Sequence, residues 1–382
     1  SHGDSVAAPA PGYRVTARSA DGAIAAVENR PMNIFAVQFH PEVMHTLEGK
    51  KILANFLFAI ARANRTWSMK NFIENEIAGL REKCRGKRVV LGVSGGVDST
   101  TLAVLVQRAL GENVTSIFVN NGLLRLAEET EVLDNLRRRL GLKVTYINAG
   151  RRFLKNLAGV ASPERKRKII GKTFIDVFFS GLKDFDFLIQ GTLYPDVIES
   201  NPVQGPSQTI KTHHNRVREV QRLEKQGRII EPFKFLFKDE VREVAGLLGI
   251  PADILNRHPF PGPGLAVRIL GDITPKKLAV LKRADDIFIG ELKSSGWYER
   301  VWQAFAVLLP VRSVGVMGDE RTYDATVAIR AVESRDGMTA DWARLPHDLL
   351  ARLSSRLVND VAGINRVVYD VSSKPPSTIE WE

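Results

Sequence analysis

The segment Leu91-Gly92-Val93-Ser94-Gly95-Gly96-Val97-Asp98-Ser99-Thr100 restricts this chain more than any other stretch. It follows Arg88-Val89-Val90, and the run from Val89 to Val93 is apolar without alternation. A strand of that kind is covered on both faces, which is the condition of a parallel sheet. Parallel strands cannot return by a tight hairpin and need a crossover, and the amphipathic spacing over 99–110 supplies a helix for it. Further strands are expected at Val114–Val119, Lys143–Ile147 and Phe187–Gln190, alternating with helices over 125–140 and about 163–183. Strands and helices in that alternation specify an α/β fold around a parallel sheet.

The ends of the chain read differently. Short β-rich runs, Tyr13–Ala17, Ala23–Val27 and Ile34–Phe39, precede a helical spacing over 47–63 carried by Leu47, Ile52, Leu53, Phe56, Leu57 and Ile60. This block is expected to be the tail of a larger domain. At the other end, His258-Pro259-Phe260-Pro261-Gly262-Pro263-Gly264 cannot continue a helix and marks a boundary. Three regions are therefore expected, 1–65, 66–257 and 258–382, the last mixing helices and strands.

A glycine turn between a buried strand and a helix places free amides and the positive end of the helix dipole together, which suits an anion. Gly95 and Gly96 let the backbone approach phosphate oxygens, and Ser94 and Ser99 add hydroxyls. Asp98 would repel a bare phosphate, so its expected task is to hold Mg²⁺ against one. No Gly-Lys-Ser/Thr ending is present, which excludes the usual loop for a γ-phosphate. The plain structural alternative is a glycine turn capped by serine.

The pattern resembles the SGGxDS loop of the ATP-pyrophosphatase (N-type) family, which implies cleavage between the α- and β-phosphates. Further segments resemble the GMP synthase family: Gln190-Gly191-Thr192-Leu193-Tyr194-Pro195-Asp196-Val197-Ile198-Glu199-Ser200, Ile210-Lys211-Thr212-His213-His214-Asn215, and the ending Lys374-Pro375-Pro376-Ser377-Thr378-Ile379-Glu380-Trp381-Glu382. The resemblance implies an ATP-pyrophosphatase domain with a C-terminal α+β dimerisation domain. It implies ATP contacts at Gly92, Val93, Ser94, Gly95, Gly96, Val97, Asp98, Ser99, Val119 and Gly191, with catalysis by Asp98, Asp196, Glu199 and Lys211. It assigns XMP to Arg167, His213, His214, Asp319, Lys374, Thr378, Ile379 and Glu380, with Lys374 at the phosphate and Glu380 at the purine or ribose. The reaction implied is adenylation of XMP followed by displacement of AMP by ammonia, with a homodimer as the assembly. Read without the family, Asp196 and Glu199 are carboxylates on a turn, Arg165 to Lys168 is a basic run of the kind that is usually a solvated helix face, and a terminal tail normally frays.

Gln38-Phe39-His40-Pro41-Glu42 resembles the ending of a class I glutamine amidotransferase, in which His40 and Glu42 would complete a Cys-His-Glu triad. That chemistry needs a thiolate on a strained turn. The chain holds one cysteine, Cys84, in a setting without such a turn. Glutamine hydrolysis within this chain is therefore not expected, and nitrogen would come as free ammonia or from a separate glutaminase portion. The single cysteine also excludes an intrachain disulfide and a thiolate zinc cluster, and it argues against a tRNA-thiolating relative. With 54 Lys and Arg against 43 Asp and Glu, the net charge of +11 favours acidic partners such as nucleotides. Basic and aromatic residues do not cluster as a nucleic-acid surface would require, so no nucleic-acid partner is expected. No apolar run is long enough for a membrane helix, and a cytosolic protein is expected.

Overall fold

The computed structural model describes residues 4–43, 46–182, 184–200, 218–317, 319–334 and 337–382. They divide into two compact units, Ser1–Ser68 and Met69–Glu382.

The first unit is a meander of β1 (Arg14–Arg18), β2 (Ile24–Asn29) and β3 (Ile34–Val37), each antiparallel to the next. Asn29 ends β2, and its side chain accepts from the Met32 N–H to close the turn into β3. A helical stretch at Gly49–Ala54 continues, more widely wound, through Asn55–Ile60. Its expected apolar face is largely uncovered: Leu53, Phe56, Leu57 and Phe58 are exposed, as are Met32, Ile34 and Val37 on the meander.

The second unit holds two sheets. The first contains β4 (Val89–Gly92), β5 (Val114–Asn120), β6 (Val144–Asn148), β7 (Phe187–Ile189) and β8 (Ile229–Ile230), all parallel, in the spatial order β6-β5-β4-β7-β8. The unbroken apolar run of β4 has its expected cause. Val89 and Leu91 face a core shared with Leu102, Leu105, Phe233 and Val244, while Val90 faces the opposite core with Ile117, Phe153 and Phe178. Successive side chains point to opposite faces, and both faces are covered. The chain leaves β4 at the point where strand order reverses, between β5 and β7. In open α/β sheets that crevice at the carboxyl edge is where ligands bind.

The second sheet joins β9 (Gln303–Met317), β10 (Glu320–Glu333), β11 (Asp341–Trp342) and β12 (Ile364–Tyr369). Strands β9 and β10 form a long antiparallel hairpin, and β12 runs parallel to β10. Helices Pro275–Ser294 and His347–Asp360 cover one face through Leu281, Phe288, Leu353 and Leu357, against Ala304, Ala306, Val327 and Ile329. The other face, with Phe305, Val307, Ala328 and Val332, is closed by Ile379 from the C-terminal tail.

Candidate active site

The chain turns from β4 through Ser94-Gly95-Gly96 into the helix Val97–Leu110. Gly95 has φ of 77°, and a Cβ on it would lie 2.6 Å from a methyl of Val132. The turn thus needs glycine for its backbone angle and for its contact with the neighbouring helix. The N–H of Ser94 donates to Ser99 Oγ at 3.1 Å, the two hydroxyls lie 3.0 Å apart, and Ser99 Oγ donates to the Gly96 carbonyl at 3.2 Å. Gly96, at the helix start, has no side chain to cap the amides that follow. Those amides remain for a ligand anion. Gly95→Ala is expected to lower turnover at least about a hundredfold by displacing these donors, and to lower the unfolding midpoint as well, since the added methyl is strained at that φ and meets the buried Val132; steady-state kinetics beside thermal melting checks this.

Asp98 stands in the first turn of that helix. Its Oδ1 is buried with no hydrogen-bond partner among the described residues. Burial raises its carboxyl pKa, the charges of Lys238 and Arg242 oppose that rise, and the negative charge of Asp196 adds to it. A buried, under-satisfied carboxylate oxygen facing a second acidic residue fits a divalent cation. Among the described residues no group of three or more His, Cys, Asp or Glu could hold a metal by itself. A buried carboxylate oxygen with a second acidic residue near it fits a cation that binds through one or two carboxylates and a substrate's own phosphates, as Mg²⁺ does. Lys238 and Arg242, on the helix Lys238–Leu247, escaped sequence reading because their helix is remote in the chain.

Other expected nucleotide contacts gather at the same edge. Val119 lies beyond Ile117, the last β5 residue paired with β4. Backbone groups of alternate residues face the same side, and the Ile117 carbonyl accepts from the Val93 N–H at 2.9 Å. The backbone of Val119 is therefore turned toward the loop, while its side chain is core. Gly191 follows β7 and is exposed. The segment after it is a helix, Tyr194–Ser200, rather than the turn expected from sequence. Asp196 reaches back to accept from the Leu193 N–H at 3.1 Å, the usual role of an acidic residue in a first helical turn. Glu199 lies on the same helix. Lys211, His213 and His214 lie outside the described residues.

The C-terminal tail is anchored rather than frayed, by three fully buried cations. Arg268 donates to both carboxylate oxygens of Glu380, at 3.1 and 2.8 Å. Arg330 donates to the carbonyls of Ile379 at 2.8 Å, Thr378 at 3.1 Å and Ser372 at 3.1 Å, and pairs with Asp370 at 2.7 Å. Lys166 donates to the carbonyls of Ala266 and Ile269 and pairs with Glu382. The run Arg165 to Lys168 is thus not a uniformly solvated face: Lys166 is buried and Arg167 exposed. Burial lowers the Lys166 pKa, and Glu382 opposes that shift. Thr378 and Ile379 contribute carbonyls to the anchor, and the Ile379 side chain is in the core. Lys374 Nζ donates to the Gly337 carbonyl at 2.8 Å.

Asp319 is not brought to this tail. It sits at the tip of the β9–β10 hairpin, whereas Lys374 pairs with Ala340 beyond the other end of β10. The intervening strand spans Glu320–Glu333, about 40 Å at the usual rise. In the first unit, His40 Nδ1 and Glu42 Oε1 lie 2.7 Å apart and both side chains are exposed. Cys84 is buried in the second unit, and burial raises its thiol pKa, so it is a packed thiol and not an activated one.

Between the loop and the tail runs the Pro/Gly segment. Arg257 donates to the Gly95 carbonyl at 3.3 Å and to Glu128 at 2.8 Å. His258 stacks on Tyr298 with ring centroids 3.8 Å apart. Its Nδ1 accepts from the Ala304 N–H, so Nε2 carries the proton and donates to the Tyr298 carbonyl at 2.8 Å. Burial holds its pKa down at about 4 against an ordinary 6.5. The unfolded chain therefore binds a proton that the folded one refuses, and stability falls as pH drops from 6.5 toward 4, by at most about 3 kcal/mol. Denaturant midpoints across that window should show the loss, and His258→Gln should flatten it.

Comparison with known proteins follows this geometry. A model of the GMP synthase C terminal domain matches residues 290–381, an NAD synthase model residues 67–160, and a class-I glutamine amidotransferase model residues 1–60. The loop, its sheet and these matches define the class: an ATP-pyrophosphatase-type ligase that forms C–N bonds. The GMP synthase [glutamine-hydrolyzing] of Chlorobium chlorochromatii is 58% identical over all of this chain and 75% of its own length. That of Nitratidesulfovibrio vulgaris is 55% identical over all of this chain and 74% of its own. This chain belongs to the GMP synthase family. Among solved structures, NMN synthetase from Francisella tularensis is similar at 17% identity and a TM-score of 0.40, covering 52% of this chain and 79% of its own.

Proposed function

We propose that this chain aminates XMP to GMP at the expense of ATP through an adenylyl-XMP intermediate, releasing AMP and pyrophosphate. The observation that carries the reading is the Ser94–Ser99 turn: uncapped amides at a helix start, beside a buried carboxylate oxygen of Asp98 that has no partner among the described residues. The amides bind the outer phosphates of ATP, and Lys238 and Arg242 add positive charge from the facing helix. Asp98, with Asp196 near it, would hold Mg²⁺, which neutralises charge on the departing pyrophosphate when bound. The XMP O2 oxygen attacks the α-phosphorus, and the bond to the β-phosphate oxygen breaks. Ammonia then attacks C2 and AMP leaves. Positioning and charge stabilisation supply most of the rate. By the family resemblance, Lys211, His213, His214 and Glu199 belong to this site as well.

Nitrogen reaches the site as ammonia. Within these residues the one thiol, Cys84, is buried, and the His40–Glu42 pair of the first unit waits on a nucleophile supplied from elsewhere. The enzyme works as a homodimer in the cytosol. Val314, Val316 and Tyr323 are exposed on one face of the distal half of the β9–β10 hairpin, where Tyr323 pairs directly with Val314, a surface that a second copy would cover. In that assembly Asp319 would serve the partner's XMP rather than its own, since it is remote from Lys374 and Glu380 in one chain.

The test is a reaction containing XMP, ATP, Mg²⁺ and ammonium. Equal amounts of GMP, AMP and pyrophosphate are expected. Accumulation of ADP, or nucleotide cleavage without GMP, would overturn the reading.

A further inference from the structure

We propose that Arg268 and Gln303 are positioning residues for XMP, acting through Glu380; this rests on the reading that Glu380 meets that nucleotide. Arg268 is fully buried, with its guanidinium carbon 5.1 Å from the ring centroid of Phe260 and 4.2 Å from that of Phe305. From that slot Nε and Nη2 reach the two oxygens of Glu380 as a fork, which fixes the plane of the carboxylate. Gln303, the first residue of β9, donates from Nε2 to Glu380 Oε1 at 2.8 Å and to the Pro259 carbonyl at 3.0 Å. Three donors on one carboxylate leave one of its roughly four acceptor directions. The Glu380 side chain keeps 20% of its surface exposed while Arg268 keeps none, so of this pair only Glu380 is within reach of a ligand. An acceptor held in that way selects a ligand that presents an N–H or hydroxyl to it, as a purine edge or ribose does.

The arrangement is a poor device for stability alone. Arg268 Nη1 is buried with no hydrogen-bond partner among the described residues, and a well-packed apolar side chain in such a slot is often no less stable than a buried ion pair. Orientation of a carboxylate at a ligand is the use that explains such a group. The link through Pro259 also ties Glu380 to the segment that carries Arg257 and its bond to the Gly95 carbonyl.

The test is steady-state kinetics of the whole chain with ammonium, alongside melting temperature, for Gln303→Met, Glu380→Gln and the double variant. Q303M should raise KM for XMP about tenfold, the loss of one hydrogen bond to a charged group. Its KM for ATP and its kcat should stay within about twofold, and the double variant should be no worse than E380Q alone, because the carboxylate that Gln303 orients is then already gone. An unchanged XMP KM in Q303M while E380Q raises it would overturn the proposal. So would independent, multiplying effects, or equal losses for XMP and ATP with a lowered melting temperature, the mark of a structural prop. If Q303M does not fold, Arg268→Lys keeps the charge and loses the fork, with the same outcomes expected. An E380Q protein with an unaltered XMP KM would remove Glu380 from the site and this proposal with it, whereas absence of GMP formation by the unsubstituted chain would remove the reaction itself.

Discussion

Asp98→Asn lowers pyrophosphate release by about a thousandfold and leaves the nucleotide-free protein at least as stable as before. Both halves of that expectation come from one geometry. The carboxylate is held in the first turn of the helix after β4, with one oxygen buried and no partner for it among the described residues. Burial raises its pKa above the ordinary value, so at neutral pH the folded state holds a charge at a cost that the unfolded chain does not bear. Asparagine has nearly the same shape and removes the charge. It therefore relieves the cost of folding while withdrawing the group that would anchor a cation against the departing phosphates. Pyrophosphate release beside thermal melting measures both. Normal turnover in the variant would show that the cation is held elsewhere, and a collapse of the melting temperature would show that Asp98 is structural.

The second large effect concerns the tail. Deleting residues 374–382 is expected to unfold most of the second unit, not merely to weaken XMP binding. The deletion strips Arg268 and Lys166 of their counter-charges and takes the Thr378 and Ile379 carbonyls from Arg330. Leaving a buried charge without its partner costs about 3–5 kcal/mol, and whole domains are stable by only about 5–15 kcal/mol. A milder version isolates one anchor. Arg330→Met should cost about 3–5 kcal/mol, because Asp370 and three carbonyls lose their donor. Urea unfolding gives the midpoint and slope. An unchanged midpoint in either protein would mean that the tail is tethered by other contacts. A raised XMP requirement in the deletion is, for the same reason, ambiguous between lost contact and lost fold, which is why single side chains are the better probe of Glu380.

Much of the first sheet was legible because each strand carries its own signal. Val89 to Leu91 are apolar at successive positions because both faces of β4 are covered. The helix at Gly150–Leu157 and the strand Ile229–Ile230 were not foreseen. A short helix and a strand of minimal length carry too few residues for a period to emerge. The segment 194–200 was expected as a turn carrying two carboxylates, yet Pro195 fits a first helical turn and Asp196 caps it.

The candidate phosphate loop was readable because glycines, hydroxyls and a carboxylate adjacent in sequence remain adjacent in space at a strand-to-helix turn. The cations around it were not. Lys238 and Arg242 face Asp98 from a helix far along the chain, and Arg257 reaches Gly95 across a separation of 162 residues. The basic run at 165–168 looked like a solvated helix face, and it conceals Lys166, which turns inward to meet Glu382.

The sequence by itself determined a parallel α/β core with a glycine turn between a buried strand and a helix, of the kind that suits an anion, together with the family kinship carried by that turn and by the closing residues. Those features are local, since periodicity and turn chemistry depend on neighbours a few positions apart. Only the tertiary structure decided that the tail is pinned by Arg268, Arg330 and Lys166, that Gln303 shares Glu380 with Arg268, and that Asp319 stands at the far end of a hairpin from Lys374. Each depends on which distant side chains share one buried space, where a charge must find its partner or remain unpaired at a cost.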